Sequence, residues 1–210
     1  MSVSVILHEI TGASDAEQEF IRKAVGMLRT AVQTPGFGSS VRQAEYSSAS
    51  WQGKHGGLRE LDGDAIWERI AQGRECGQCA DHTLDLAIEV ADLPGPDSGN
   101  ALIGSTRLGT LPIRSARWFL QRCMDRGDLV NYAAHIMHQW MHVSGFVHRR
   151  DGEGKDAPSV VARLVRRTLE VEHGDHIQAD ITALLTLNED GCDCCREDAS
   201  VTLGEASRAA

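Results

Sequence analysis

Apolar and polar residues alternate at the start of the chain and then change to a helical period. Residues 3–10, VSVILHEI, alternate and are rich in β-branched side chains, which predicts a first strand. The SDAE at residues 14–17 matches a capping box, in which the serine and the glutamate each satisfy a backbone N–H of the other. Apolar residues at helical spacing then continue to Pro35, so a helix of about five turns is predicted.

The middle of the chain carries weaker patterns. Residues 36–63 are rich in Gly, Ser and Gln, which predicts a loop with short strand pieces. Residues 62–73, DGDAIWERIAQG, predict a short helix that ends at its last glycine. Beyond the loop at 92–100, ALIGST (101–106) and TLPI (110–113) predict short strands in a hairpin or at a sheet edge.

The pattern is helical from residue 115 onward. Helices are predicted over residues 116–126, 129–144, 158–172 and 175–187. A polar tail with several cysteines follows at 188–210. Strands and helices in the first half, followed by helices in the second, predict an α+β fold with one domain over residues 1–187.

One predicted helix and the turn after it carry closely spaced histidines, in HIMHQWMHVSGFVH at residues 135–148. At about 100° per residue, one stripe of this helix is apolar and is expected to face the core: Val130, Ala133, Ala134, Met137 and Met141. His135, His138 and His142 form an adjacent stripe. Histidines four residues apart are neighbours on a helix and can share one metal ion. Gly145 can end the helix in a tight reversal that returns His148 as a third ligand.

The stretch from His138 to His148 resembles the zinc-binding consensus H-E-x-x-H-x-x-G-x-x-H of the metzincin clan of metallopeptidases. The resemblance implies Zn²⁺ on His138, His142 and His148 and a general base at position 139. It implies a zincin-like fold whose upper part, about residues 1–145, holds a small mixed sheet, a backing helix and the active-site helix. A lower helical part would cover residues 146–187. It also implies that ALIGST is the edge strand that binds substrate.

Two features depart from the clan. Gln139 stands where the consensus has glutamate, and no methionine follows Met141, so the clan's methionine-containing turn cannot form in its usual way. In a related arrangement a later helix supplies the third ligand, and Glu172 would then replace His148. His135 is expected beside the metal site or facing solvent rather than among the ligands.

Gln139 decides how the predicted site would work. An amide cannot accept a proton at neutral pH, so it removes the general base while preserving size and hydrogen bonding. The glutamine is either a Glu→Gln change in a peptidase or natural. The prediction is a zinc-dependent metallopeptidase, in an inactivated form, that would hydrolyse a protein or peptide substrate with metal-activated water. The alternative is a natural pseudopeptidase that acts as a non-catalytic zinc-binding interaction module.

Five of the six cysteines fall in two clusters: Cys76 and Cys79, and Cys192, Cys194 and Cys195. Together they could bind a second, structural zinc ion, form a disulfide between the two segments or remain free thiols. Cys123, within a predicted helix, is expected to be a small buried hydrophobe.

Composition limits the classes of partner. The formal net charge is −9, whereas a nucleic-acid-binding protein needs a basic surface, so no nucleic-acid partner is expected. No segment is apolar for the roughly 18 residues that a membrane span requires. The start of the chain lacks a cationic region before its apolar run, so no signal peptide is predicted and a cytoplasmic location is expected.

Overall fold

A small mixed sheet forms one layer of the protein. The computed structural model describes residues 3–52, 57–75, 79–148 and 155–173. The sheet contains, in spatial order, β1 (Ser4–Thr11), β4 (Thr83–Ala91), β6 (Ile113–Ala116) and β5 (Gly104–Ser105). The first three strands are parallel, and β5 runs antiparallel to β6 at the edge. A separate antiparallel pair is formed by β2 (Ser50–Gln52) and β3 (Leu58–Glu60).

Six α-helices of the described chain pack against the sheet and against one another. They are α1 (Asp15–Gln33), α2 (Phe37–Gln43), α3 (Gly63–Gln72), α4 (Arg117–Arg126), α5 (Leu129–Val143) and α6 (Ala157–His173). The helices predicted at 62–73, 116–126, 129–144 and 158–172 are confirmed to within a residue or two. The helix predicted at 175–187 lies outside the described residues. None of the described helices has the length and apolarity that crossing a membrane requires.

The capping box at the start of α1 is confirmed. The Ser14 hydroxyl accepts the backbone N–H of Glu17, and the Glu17 carboxylate accepts the backbone N–H of Ser14 at 2.7 Å. Glu17 also binds Arg117 at 2.8 Å, and Arg117 donates to the carbonyl of Gly12 at 2.6 Å. This cluster joins the first residues of α1 and α4 to the turn after β1.

Two elements, β4 and α2, were not predicted from the pattern of residues, and the strand predicted at 110–113 shares only Ile113 with β6. The central strand β4 alternates, and its buried side chains Leu84, Leu86, Ile88 and Val90 face the core. Helix α2 occupies the segment predicted as loop, and only Phe37 and Val41 are buried in it. Its two apolar residues are too few to give a periodic signal, and it is stabilised by packing against α3 and α6.

Helix α5 runs through the centre of the molecule. Its residues are buried without exception from Val130 to Val143, and it contacts α1, α4, α6, β5 and β6. The predicted apolar stripe does lie in the core, but the prediction that only this side of the helix is buried is wrong. Neighbouring elements cover the polar side of the helix as well as the apolar side, so its histidines lie in the interior.

Glu75 brings a carboxyl group into the same interior. Its Oε1 accepts the backbone N–H of Asp85 at 3.1 Å and the indole N–H of Trp140 at 3.0 Å. Burial raises the pKa of Glu75, because removal from water disfavours the charged form. The folded chain then keeps this proton at pH values where the unfolded chain has lost it. Stability therefore falls as the pH rises above the ordinary carboxyl pKa of 4.5.

We expect Glu75→Gln to become more stable relative to the wild type as the pH rises. The amide oxygen can still accept both N–H groups, and the amide cannot ionise. The difference in free energy of unfolding should grow by roughly 1 kcal/mol between about pH 4 and about pH 7. Chemical denaturation at both pH values measures it, with the exposed Glu19→Gln as control. A difference that does not change with pH would contradict the prediction.

Candidate metal centre

Three histidine side chains meet at one end of α5. His138 and His142 are one turn apart on the helix, and His148 approaches from the segment that follows it. The Nε2 atom of His138 lies 3.2 Å from Nε2 of His148 and 3.3 Å from Nε2 of His142. The ligand atoms of all three lie within 4.8 Å of one another, the only such group of three among the described residues. The structure thus brings the three predicted ligands together.

The reversal after α5 gives His148 its place. Gly145 has a φ of +100°, a conformation that favours glycine, and its N–H donates to the carbonyl of His142 at 3.0 Å. A side chain here would also collide with Trp51, because an added Cβ would lie 2.6 Å from its Nε1 atom. The chain then pairs with β2, as Val147 donates to the carbonyl of Ser50 at 3.0 Å. The predicted role of Gly145 is confirmed.

Hydrogen bonds to the Nδ1 atoms of His142 and His148 orient the Nε2 atoms of the same rings. His142 donates from Nδ1 to the carbonyl of Phe146 at 2.7 Å. The Nδ1 of His148 lies 3.0 Å from the carboxylate of Asp156, which is buried. Partners of this kind hold the ring proton on Nδ1 and leave the Nε2 lone pair available to a metal ion.

Burial favours the neutral form of the His138 and His142 imidazoles. Burial, with a smaller contribution from the neighbouring histidines, lowers the pKa of His138 well below its usual value. Burial likewise lowers the pKa of His142 to about 3. A metal ion requires the deprotonated imidazole, so at neutral pH these ligands need not lose a proton first. Ligands of a tetrahedral zinc ion, each at about 2.0–2.1 Å, stand roughly 3.3 Å apart, which matches the two Nε2 separations.

Gln139 lies between α5 and the edge strand β5. Its side chain is 1% exposed, and its Oε1 accepts the hydroxyl of Thr106 at 2.6 Å. Gly104 passes directly over this side chain, since an added Cβ would lie 3.0 Å from the amide nitrogen of Gln139 and 2.5 Å from His135. Position 139 thus faces β5, which covers only Gly104–Ser105 of the strand predicted at 101–106.

His135 is interior and is not part of the three-histidine group. It is 4% exposed, it packs against Phe119, and its Nε2 lies 3.3 Å from the hydroxyl of Ser115. Tyr132 donates to the same hydroxyl at 3.0 Å. Burial lowers the pKa of His135 to about 3. A solvent-facing His135 is excluded, and the residue forms a polar connection between α5 and β6 beside the candidate metal centre.

Most of the second predicted site, built from cysteines, lies outside the described residues. Cys79 is exposed and has a free thiol, while Cys76, Cys192, Cys194 and Cys195 lie outside the described residues. Cys123 is buried, as expected. The side chain of Glu172, the alternative third ligand, also lies outside the described part of the chain.

Sequence reasoning missed the polar residues that support the site. Asp156, Thr106 and Ser115 lie far from α5 in the sequence, and no spacing rule connects them to it. Asp156 carries one local signal, because aspartate is a favoured N-cap residue and the nearby Pro158 is tolerated in the first turn of a helix. That signal indicates a helix start and says nothing about His148.

Comparison with known proteins gives no further assignment. No protein-family model, curated protein or solved structure matches this chain. The geometry of the candidate metal centre is therefore the basis for the functional proposal.

Proposed function

We propose that the chain is a zinc-binding protein with a metallopeptidase type of centre, in which Gln139 prevents efficient hydrolysis. The observation that carries the proposal is the convergence of three imidazole Nε2 atoms, two pairs of which lie 3.2 and 3.3 Å apart. His138, His142 and His148 would hold the ion. The match to the longer histidine and glycine spacing of the metzincin consensus supports the peptidase type over other three-histidine sites.

The residues around the ion have separate tasks in this proposal. Bound zinc would supply Lewis acidity toward a carbonyl group and would favour ionisation of water. Gln139 can donate or accept a hydrogen bond to a bound peptide but cannot take up a proton. Strand β5 pairs with β6 along one edge, and an extended peptide could add along the other. The proposed substrate class is therefore a protein or peptide in extended conformation.

The second candidate function is that of a natural, non-catalytic zinc-binding interaction module. One observation favours it: the Gln139 amide is fully buried and hydrogen bonded to Thr106, which is itself 0% exposed. A chain in which glutamine is the natural residue is expected to bury this amide and to give it a hydrogen-bond partner. Both candidate functions require the same metal ion. They differ in whether glutamate at position 139 would restore peptide hydrolysis.

Zinc binding is the direct test of the proposal. We expect the purified protein to bind one zinc ion through these histidines and His148→Ala to lose it. Zinc at about a thousand times its dissociation constant should raise the free energy of unfolding by about 4 kcal/mol. Metal analysis and thermal unfolding with and without a chelator measure both effects. His8→Ala is the matched control, because His8 is exposed and pairs with Asp85 on the sheet. Zinc retained by His148→Ala would overturn the assignment.

A further inference from the structure

The carboxylate of Asp156 serves two elements at once. Its Oδ2 lies 3.0 Å from Nδ1 of His148, and its Oδ1 accepts the backbone N–H of Ser159 at 2.9 Å. The second contact caps the first turn of α6, which begins at Ala157. The Asp156 side chain is 5% exposed. One buried group therefore contacts both a candidate metal ligand and the start of a helix.

The backbone around β2 holds both partners in position. Ala157 donates to the carbonyl of Ser48 at 3.0 Å, and Val147 donates to the carbonyl of Ser50 at 3.0 Å. Ser48 also forms an isolated parallel bridge with Asp156. A single extended segment, residues 48–52, thus holds the chain both next to His148 and at Asp156.

We propose that Asp156 is a positioning residue that holds the His148 proton on Nδ1, and that it thereby couples metal binding to the capping of α6. The inference rests on the proposed function, because it assumes that His148 is a metal ligand. It assigns to Asp156 a role that the three-histidine motif does not contain.

The Asp156 carboxylate determines which ring nitrogen of His148 carries the proton. An ionised carboxylate only accepts hydrogen bonds, so the ring nitrogen that faces it must carry the proton. When Nδ1 of His148 carries the proton, its Nε2 atom carries the lone pair. This Nε2 atom lies 3.2 Å from Nε2 of His138. A buried hydrogen bond of this kind also fixes the orientation of the ring. Asp156 thereby selects the form of His148 that can bind a metal ion.

An Asp156→Asn change separates capping from tautomer selection. Asparagine is a good N-cap residue, but its side chain has only one acceptor oxygen. If that oxygen accepts the N–H of Ser159, the amide NH₂ group faces His148 and requires an acceptor there. The imidazole proton then resides on Nε2, where it blocks metal binding. Asp156→Ser keeps a capping hydroxyl but is too short to reach the ring, so it leaves the tautomer free.

The test measures zinc affinity in competition with a chelator. We expect Asp156→Asn to bind zinc about 10- to 100-fold more weakly than the wild type, and Asp156→Ser to lose less. Asp62→Asn is the matched control, because Asp62 caps α3 through the N–H of Ala65 and should leave zinc affinity unchanged. Wild-type affinity in Asp156→Asn would overturn the inference, whereas absence of zinc binding by the wild type would overturn the proposed function itself.

The position of the His148 ring proton can also be measured in the wild type, without a variant. Nitrogen NMR of the metal-free wild type should show the His148 proton on Nδ1, and a proton on Nε2 would overturn the inference. Amide hydrogen exchange tests the coupling to α6. Zinc should slow exchange of the Ser159 N–H in the wild type and have little effect on it in Asp156→Ser. An equal effect in both proteins would contradict the coupling.

Discussion

Replacing Gln139 by glutamate is expected to raise peptide hydrolysis by about 10²- to 10⁴-fold, the usual contribution of a general base. The structure offers room for the change. One carboxylate oxygen can accept the Thr106 hydroxyl that now donates to the amide oxygen. The other takes the place of the amide nitrogen beneath Gly104, where there is no side chain to obstruct it. In the absence of metal the new charge would be buried, so Gln139→Glu should be less stable until zinc is added.

The measurement is cleavage of a library of unstructured peptides by the zinc-loaded variant. The double variant Gln139→Glu/His148→Ala is the matched control, because it has the new carboxylate but lacks a ligand and should be inactive. Activity that disappears with His148 would support a peptidase inactivated at one residue. If Gln139→Glu binds one zinc ion and hydrolyses none of the peptides, the non-catalytic interaction module becomes the better account.

The second large effect is expected at Gly145. Gly145→Ala should lower the free energy of unfolding by about 3 kcal/mol, because a residue with a side chain is strained at a φ of +100°. Its Cβ would lie 2.6 Å from Nε1 of Trp51 and 2.9 Å from the carbonyl oxygen of Gln52. The backbone must move to relieve these contacts, and His148 is three residues away. Zinc affinity should therefore fall together with stability, by about tenfold or more.

Gly26 supplies the matched control for that change. It lies inside α1, and an added Cβ would meet no atom within 4 Å. Gly26→Ala should therefore stabilise the protein by about 0.5–1 kcal/mol and leave zinc binding unchanged. Denaturant unfolding and chelator competition on both variants make the comparison. A Gly145→Ala protein with wild-type stability and zinc affinity would show that the reversal after α5 tolerates other conformations.

Local features of the fold could be predicted because they depend on neighbours in the sequence. The capping box at Ser14 forms within four residues, and the ends of α3 and α5 follow from Gly73 and Gly145. Strand β4 and helix α2, which depend on partners elsewhere, were missed. Strand β4 is held by parallel pairing with β1 and β6, whose residues are distant in the sequence.

The sequence by itself determined the three candidate ligands. The spacing of His138 and His142 places them one helical turn apart, and Gly145 allows the reversal that returns His148, since helix geometry and glycine conformation are local properties. Only the tertiary structure decided the surroundings of these ligands: the complete burial of α5, the contact of Gln139 with Thr106, and the approach of Asp156 to His148. Those contacts arise from the packing of distant segments, which no spacing along the chain encodes.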